Sequence, residues 1–212
     1  MKKFLTVLLT FAMLIAMVPS FAVSAEAPEI TVDGKSDDWA GLATLSTNLD
    51  SGAKYTFYGV LNEKGLYVAV EAYTTGFDFT NPDWWMNPNL EFFVGPRPGD
   101  SNQRWVSVTN KEGGFIKHGD VTEAAVSYES VEGVAPHHFV IEAFIEQAKL
   151  NESWFNTDGS IRVGMACDTN NSPDGKGAYV RPADTHERTD RCVVNETGVY
   201  APSDIGGINA TY

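Results

Sequence analysis

From residue 54 onward, apolar and polar side chains alternate with a period of two, and no long stretch keeps the 3.6-residue period of an amphipathic helix. That pattern restricts the chain to strands. Leu66, Val68, Val70 and Ala72 fall on one side of a strand, with Tyr67, Ala69, Glu71 and Tyr73 on the other. Phe139, Ile141, Ala143 and Ile145 repeat the pattern, as do Ile161, Val163, Met165 and Cys167. Strands with one apolar face bury it by stacking sheet on sheet, so the fold class expected is all-β, an antiparallel β-sandwich. Further strands are expected over 29–32, 54–61, 90–95, 104–109, 124–130 and 191–200, with turns at 62–65 and 111–114 and one helical turn at 146–150. The longest irregular stretches are 74–89, 95–103 and 169–190, and loops of that length in a compact domain are usually functional or disordered.

Residues 1–25 have the order of a secretory signal peptide: Lys2 and Lys3, an apolar run over 4–18, then the small-residue site Val23-Ser24-Ala25. The expectation is a secreted, extracellular chain that begins at Glu26 and forms one domain over 26–212. No second apolar segment of about 20 residues follows, so no membrane span is expected. Without Lys2 and Lys3, 13 of the 15 basic residues remain against 28 acidic ones. Such a charge repels nucleic acid and anionic membranes, and it leaves neutral sugars, cations and basic surfaces as partners of an expected monomer. In an oxidising compartment the two cysteines, Cys167 and Cys192, are expected to form a disulfide.

Four segments, read in order, form a recognisable series: Ile30-Thr31-Val32-Asp33-Gly34-Lys35-Ser36-Asp37-Asp38-Trp39, Gly65-Leu66-Tyr67-Val68-Ala69-Val70-Glu71, Asn89-Leu90-Glu91-Phe92-Phe93-Val94 and His138-Phe139-Val140-Ile141-Glu142-Ala143-Phe144-Ile145. The series resembles carbohydrate-binding module family 9 and its relatives in the DOMON-like superfamily. The resemblance implies a β-sandwich that grips the end of an oligo- or polysaccharide between aromatic rings, beside structural calcium, without cutting it. A pyranose offers an apolar C–H face to an aromatic ring, while its hydroxyls need a few directed polar partners. By the family's pattern Trp84 and Trp85 lie in the binding loop, and Trp85 stands six residues before Glu91, which would take sugar hydroxyls. Arg104, on the next strand, would add donors. The family's second clamp tryptophan is missing after Asp168, and Tyr179 and His186 are the nearest aromatic substitutes.

Other readings attach to the same residues. Trp39 is expected to be a buried anchor rather than a ligand contact. Asp168, Asn170 and Asp174 offer oxygens suited to calcium, although an Asp/Asn/Gly turn capped by its own side chains is the favoured reading of them, and Asp33, Asp37 and Asp38 carry the same two readings. A glycoside hydrolase would need a carboxylate pair, for which Glu91 with Glu71 or Glu142 is the candidate. A haem-binding electron-transfer domain would take Met86 with His118, His137, His138 or His186 as axial ligands.

Overall fold

The computed structural model describes residues 28–49, 51–74, 76–77, 87–95, 103–109, 114–129, 137–169, 179–182 and 191–201. The strands are β1 (Leu45–Asn48), β2 (Lys54–Asn62), β3 (Gly65–Tyr73), β4 (Asn89–Val94), β5 (Gln103–Val108), β6 (Phe115–His118), β7 (Glu123–Tyr128), β8 (His138–Glu146), β9 (Ile161–Asp168), β10 (Tyr179–Val180), β11 (Cys192–Asn195) and β12 (Gly198–Tyr200). They build two antiparallel sheets. One runs β1-β2-β3-β8-β7, the other β12-β11-β9-β4-β5-β6 with β10 beside β9. The expected sandwich is therefore the observed fold.

The main core lies between the sheets, where the alternation placed it. Leu66, Val68 and Val70 of β3 and Phe139, Ile141 and Ile145 of β8 meet Leu90 and Phe92 of β4 and Val163 and Met165 of β9. Asn62 closes the β2–β3 hairpin, its Oδ1 accepting from the backbone N–H of Lys64 and of Gly65. Gly65 holds φ at +147°, and a Cβ there would strike the Ile145 carbonyl, so the turn admits only glycine.

Sequence and structure part at the N-terminal segment. Residues 29–32 pair with neither sheet and lie across the outer face of the five-stranded one. The reason is that β3 is buried on both faces: Tyr67 and Ala69, with Val60 of β2, form an outward apolar patch that Ile30 and Trp39 cover. Trp39 is 2% exposed, and its indole Nε1 donates to Glu142 Oε1 at 2.8 Å. The other oxygen of Glu142 accepts the backbone N–H groups of Asp33 and Gly34. This opening segment is thus latched to the sheet through one buried carboxylate, and Trp39 is the anchor expected.

The stretch read as one strand over 191–200 is a hairpin, β11 and β12, and β1, β6 and β10 are short strands that the alternation did not reveal. The helical turn expected at 146–150 is a 3₁₀ turn over Gln147–Lys149. The disulfide is not formed: Cys167 and Cys192 are both buried and are not bonded to each other. Both face the core, yet Cys192 sits opposite Val163, four residues along β9 from Cys167. At about 3.3 Å per residue the offset is about 13 Å, far beyond the roughly 7 Å that a disulfide allows between Cα atoms. No helix among the described residues is long and apolar enough to cross a membrane.

Candidate functional site

Glu91 is placed by parity. Leu90, Phe92 and Val94 enter the core, so Asn89, Glu91 and Phe93 face outward from the seven-stranded sheet. In β5 Val106 and Val108 enter the core, which turns Gln103, Trp105 and Ser107 to the side of Glu91. Register puts Trp105 directly opposite Glu91, and His118 of β6 directly opposite Trp105.

The Glu91 carboxylate is held from two directions. Gln103 Nε2 donates to Oε1, and the Tyr179 hydroxyl donates to Oε2 at 2.6 Å. Tyr179 belongs to β10, two strands away from β4, and β9 lies between them with Ala166 opposite Glu91. The alanine methyl is low enough for the phenol to reach across. The Tyr179 ring is 40% exposed, with the Arg181 guanidinium 5.3 Å from its centre. A carboxylate has about four lone-pair sites, so two donors leave Glu91 able to accept from a ligand as well.

The opposite outer face gives a useful contrast. A cleft of about 400 Å³ lies there between Gly34–Asp37 and Ser127–Glu129, with His138 on its wall. The nearby Glu71 carboxylate accepts from Ser36 and Tyr73 hydroxyls, from Tyr58 at 2.8 Å, and pairs with His138 at 3.0 Å. Burial pushes the Glu71 carboxyl up, but the bonds from His138, Tyr58 and Ser36 outweigh it and hold it below the ordinary glutamate value. With four partners its acceptor capacity is filled by the protein itself, which makes it a brace rather than a ligand contact.

Several expected site residues are separated by the fold. Arg104 does not join Glu91. It pairs with Phe92 in register and shares the inward parity of Val106, so its side chain leaves the other face of the sheet. There the guanidinium lies 5.3 Å from the Trp154 ring centre and 3.5 Å from Asp120, while the aliphatic stem packs against Gly119. Burial draws it below its ordinary pKa, with Asp120 pulling the other way. Glu71 and Glu142 project from the five-stranded sheet, and Glu91 from the outside of the other. The two sheet thicknesses between them, about 10 Å apart before side chains are added, exceed the span of a glycosidase carboxylate pair.

Trp84, Trp85, His186, Asn170 and Asp174 lie outside the described residues, as does Met86 of the haem reading. Asp168 ends β9 beside Tyr179 and Asn89. Among the described residues no group of three or more His, Cys, Asp or Glu is arranged to hold a metal. The carboxylates of Asp33 and Asp38 cap their own turn, taking Lys35 Nζ and the Thr31 backbone N–H. His118 and His138 stand on opposite outer faces, the first stacked on Trp105, the second on Tyr73. Gln103 and Trp105 were missed in the sequence and His118 was weighed only as a haem ligand, although the inward parity of Val106 and Val108 already assigned Gln103 and Trp105 to the outer face.

No family model matches the chain, and no curated protein matches it. Among solved structures, two of a carbohydrate-binding module family 9 from Caldicellulosiruptor kristjanssonii are similar in fold. The one in complex with glucose has a TM-score of 0.51 at 14% identity, covering 74% of this chain and 83% of that one. The one in complex with cellotriose has a TM-score of 0.50 at 15% identity, covering 74% and 81%. This chain therefore has a family 9-like carbohydrate-binding-module fold, a likeness of architecture at low identity.

Proposed function

We propose that this chain is a secreted, non-catalytic carbohydrate-binding module that seats the end of a plant or microbial polysaccharide on the outer face of its seven-stranded sheet and so supports the breakdown of that polymer. The observation that carries the reading is the Glu91 carboxylate, fixed by Gln103 and Tyr179 yet with acceptor capacity to spare, beside the exposed Tyr179 ring. A fixed acceptor next to an aromatic ring is what a pyranose requires, since one serves its hydroxyls and the other its C–H face. The two similar structures, described as complexes with glucose and cellotriose, support the same ligand class. Trp85 and Trp84 belong to the proposal as the loop rings preceding Glu91. Calcium, bound by the oxygen-rich segment that carries Asp168, Asn170 and Asp174, is proposed as a structural ion, since carboxylate and amide oxygens suit a hard cation.

Titration calorimetry with glucose and cellotriose, on wild type and Glu91→Gln, tests the reading. The carboxamide keeps one carbonyl acceptor and turns an N–H₂ toward a donor that the carboxylate accepted. Loss of one charge-assisted hydrogen bond, about 1.5–3 kcal/mol, corresponds to a weakening of about 10- to 150-fold. The melting temperature should stay near that of wild type, because the Tyr179–Glu91 hydrogen bond is exposed to solvent, unlike the part-buried bonds to Glu71. Full affinity in a folded Glu91→Gln refutes the site.

A further inference from the structure

We infer that Trp105, held upright by His118, forms an aromatic wall of the sugar site on the β5 side of Glu91, an inference that rests on the reading just proposed. Its basis is the geometry of one ring pair. The Trp105 and His118 ring centres are 4.7 Å apart with planes 11° from parallel. Neighbouring strands are themselves about 4.8 Å apart, so the ring separation matches the strand separation. Rings lying flat on the sheet would collide at that distance, and only rings standing on edge, normals along the inter-strand direction, can stack so closely. The indole therefore rises from the sheet as a fin. One face is turned to β6 and covered by His118; the other is turned to β4, where Glu91 is the direct cross-strand partner at a Cβ separation of about 5 Å.

A pyranose whose edge hydroxyls reach down to the Glu91 carboxylate lays its C–H face against this indole face, with Tyr179 on the far side of the carboxylate. The chemistry selects its ligand. An upright apolar wall favours a sugar with equatorial hydroxyls, gluco- or xylo-configured, because an axial hydroxyl directed at the indole would lose its hydrogen bond to water without replacement. His118 acts through Trp105: it is a positioning residue that stops the indole from folding down over β6. The second tryptophan, missing after Asp168 where the family pattern puts it, thus has a counterpart in Trp105 on the strand beside Glu91.

Cellotriose titrations on full-length wild type, Glu91→Gln, Trp105→Ala, Trp105→Phe, His118→Ala and His118→Phe test this, together with ¹⁹F spectra of 5-fluorotryptophan-labelled protein. The chain has five tryptophans, and the resonance missing in Trp105→Phe identifies Trp105. The expected results are a loss of about tenfold in Trp105→Ala, partial retention in Trp105→Phe, a loss in His118→Ala that His118→Phe restores, and a ¹⁹F shift of the Trp105 signal on adding cellotriose. The ¹⁹F measurement decides the matter in wild type even if Trp105→Ala fails to fold. A wild type that binds and is disabled by Glu91→Gln, but whose Trp105 resonance does not move and whose Trp105→Phe and His118→Ala bind as well as wild type, overturns the wall and leaves the proposed function standing. A wild type that binds no saccharide overturns both.

Discussion

Trp39→Phe isolates the latch between the N-terminal segment and the five-stranded sheet. The phenyl ring still fills most of the space among Ile30, Val60, Tyr67 and Ala69, and still lies against Tyr58, whose ring centre is 5.4 Å from the indole. What disappears is the Nε1–H donor 2.8 Å from Glu142 Oε1. The carboxylate then keeps only the Asp33 and Gly34 backbone donors in a site where it is 1% exposed. A hydrogen bond to a buried charge contributes about 1.5–3 kcal/mol, which for a domain of this size lowers Tm by about 3–12 °C. Trp39→Ala adds the cavity, about 3–5 kcal/mol for a large aromatic, and so removes much of a typical domain's stability. The pH dependence separates the two contributions. Burial raises the Glu142 carboxyl above its ordinary 4.5, while Trp39, Gly34 and Asp33 oppose the shift. An acid with a raised folded-state pKa contributes stability that is complete below its unfolded value and is lost as pH rises through the folded value. Removing a donor raises the folded value further and deepens that loss. Denaturant unfolding of wild type and Trp39→Phe at pH 7 and below pH 4.5 should give a cost that is largest at pH 7 and shrinks in acid, where a neutral carboxyl needs the donor less. An equal cost at both pH values would refute the charge-assisted latch, and a Trp39→Ala protein as stable as wild type would refute the covering role of the segment.

Glu71 should behave with the opposite sign: its folded-state pKa is held down, so its stability is present above the unfolded value near 4.5 and lost as pH falls through the folded one. Tyr58→Phe, which removes the 2.8 Å donor, should accordingly cost about 1.5–3 kcal/mol at pH 7 by denaturant unfolding, and less in acid. Intact-mass analysis after alkylation in denaturant without reductant should find two modified thiols, whereas the folded protein should resist, since burial raises Cys167 well above its ordinary pKa; an unmodified chain in denaturant would mean that the register of β9 with β11 is wrong.

The architecture was legible because burying one face of a strand in the core leaves a period of two in the sequence. The alternation in 66–72, 139–145 and 161–167 named the core rows of β3, β8 and β9 residue by residue, and Trp39 was identified as an anchor. The short edge strands β1 and β6 escaped, since a few half-exposed residues carry too little alternation to register. Of the site, Glu91 and Tyr179 were named from the family pattern, but not that they touch: their hydrogen bond spans 88 residues of sequence and depends on Ala166 being small on the strand between them. Arg104 shows the limit most sharply. Sequence put it on the strand beside Glu91, which is correct, yet a shift of one residue in a strand moves a side chain through the sheet, so Gln103 and Trp105 hold the face that Arg104 was given. The cysteines fail for a related reason. Composition identified the only two thiols, but whether they meet is a matter of register, and pairing Cys192 with Val163 sets them four residues apart. Periodicity is a local property that each strand carries alone; which residues face one another belongs to the sheet, and it exists only once strands distant in sequence have paired.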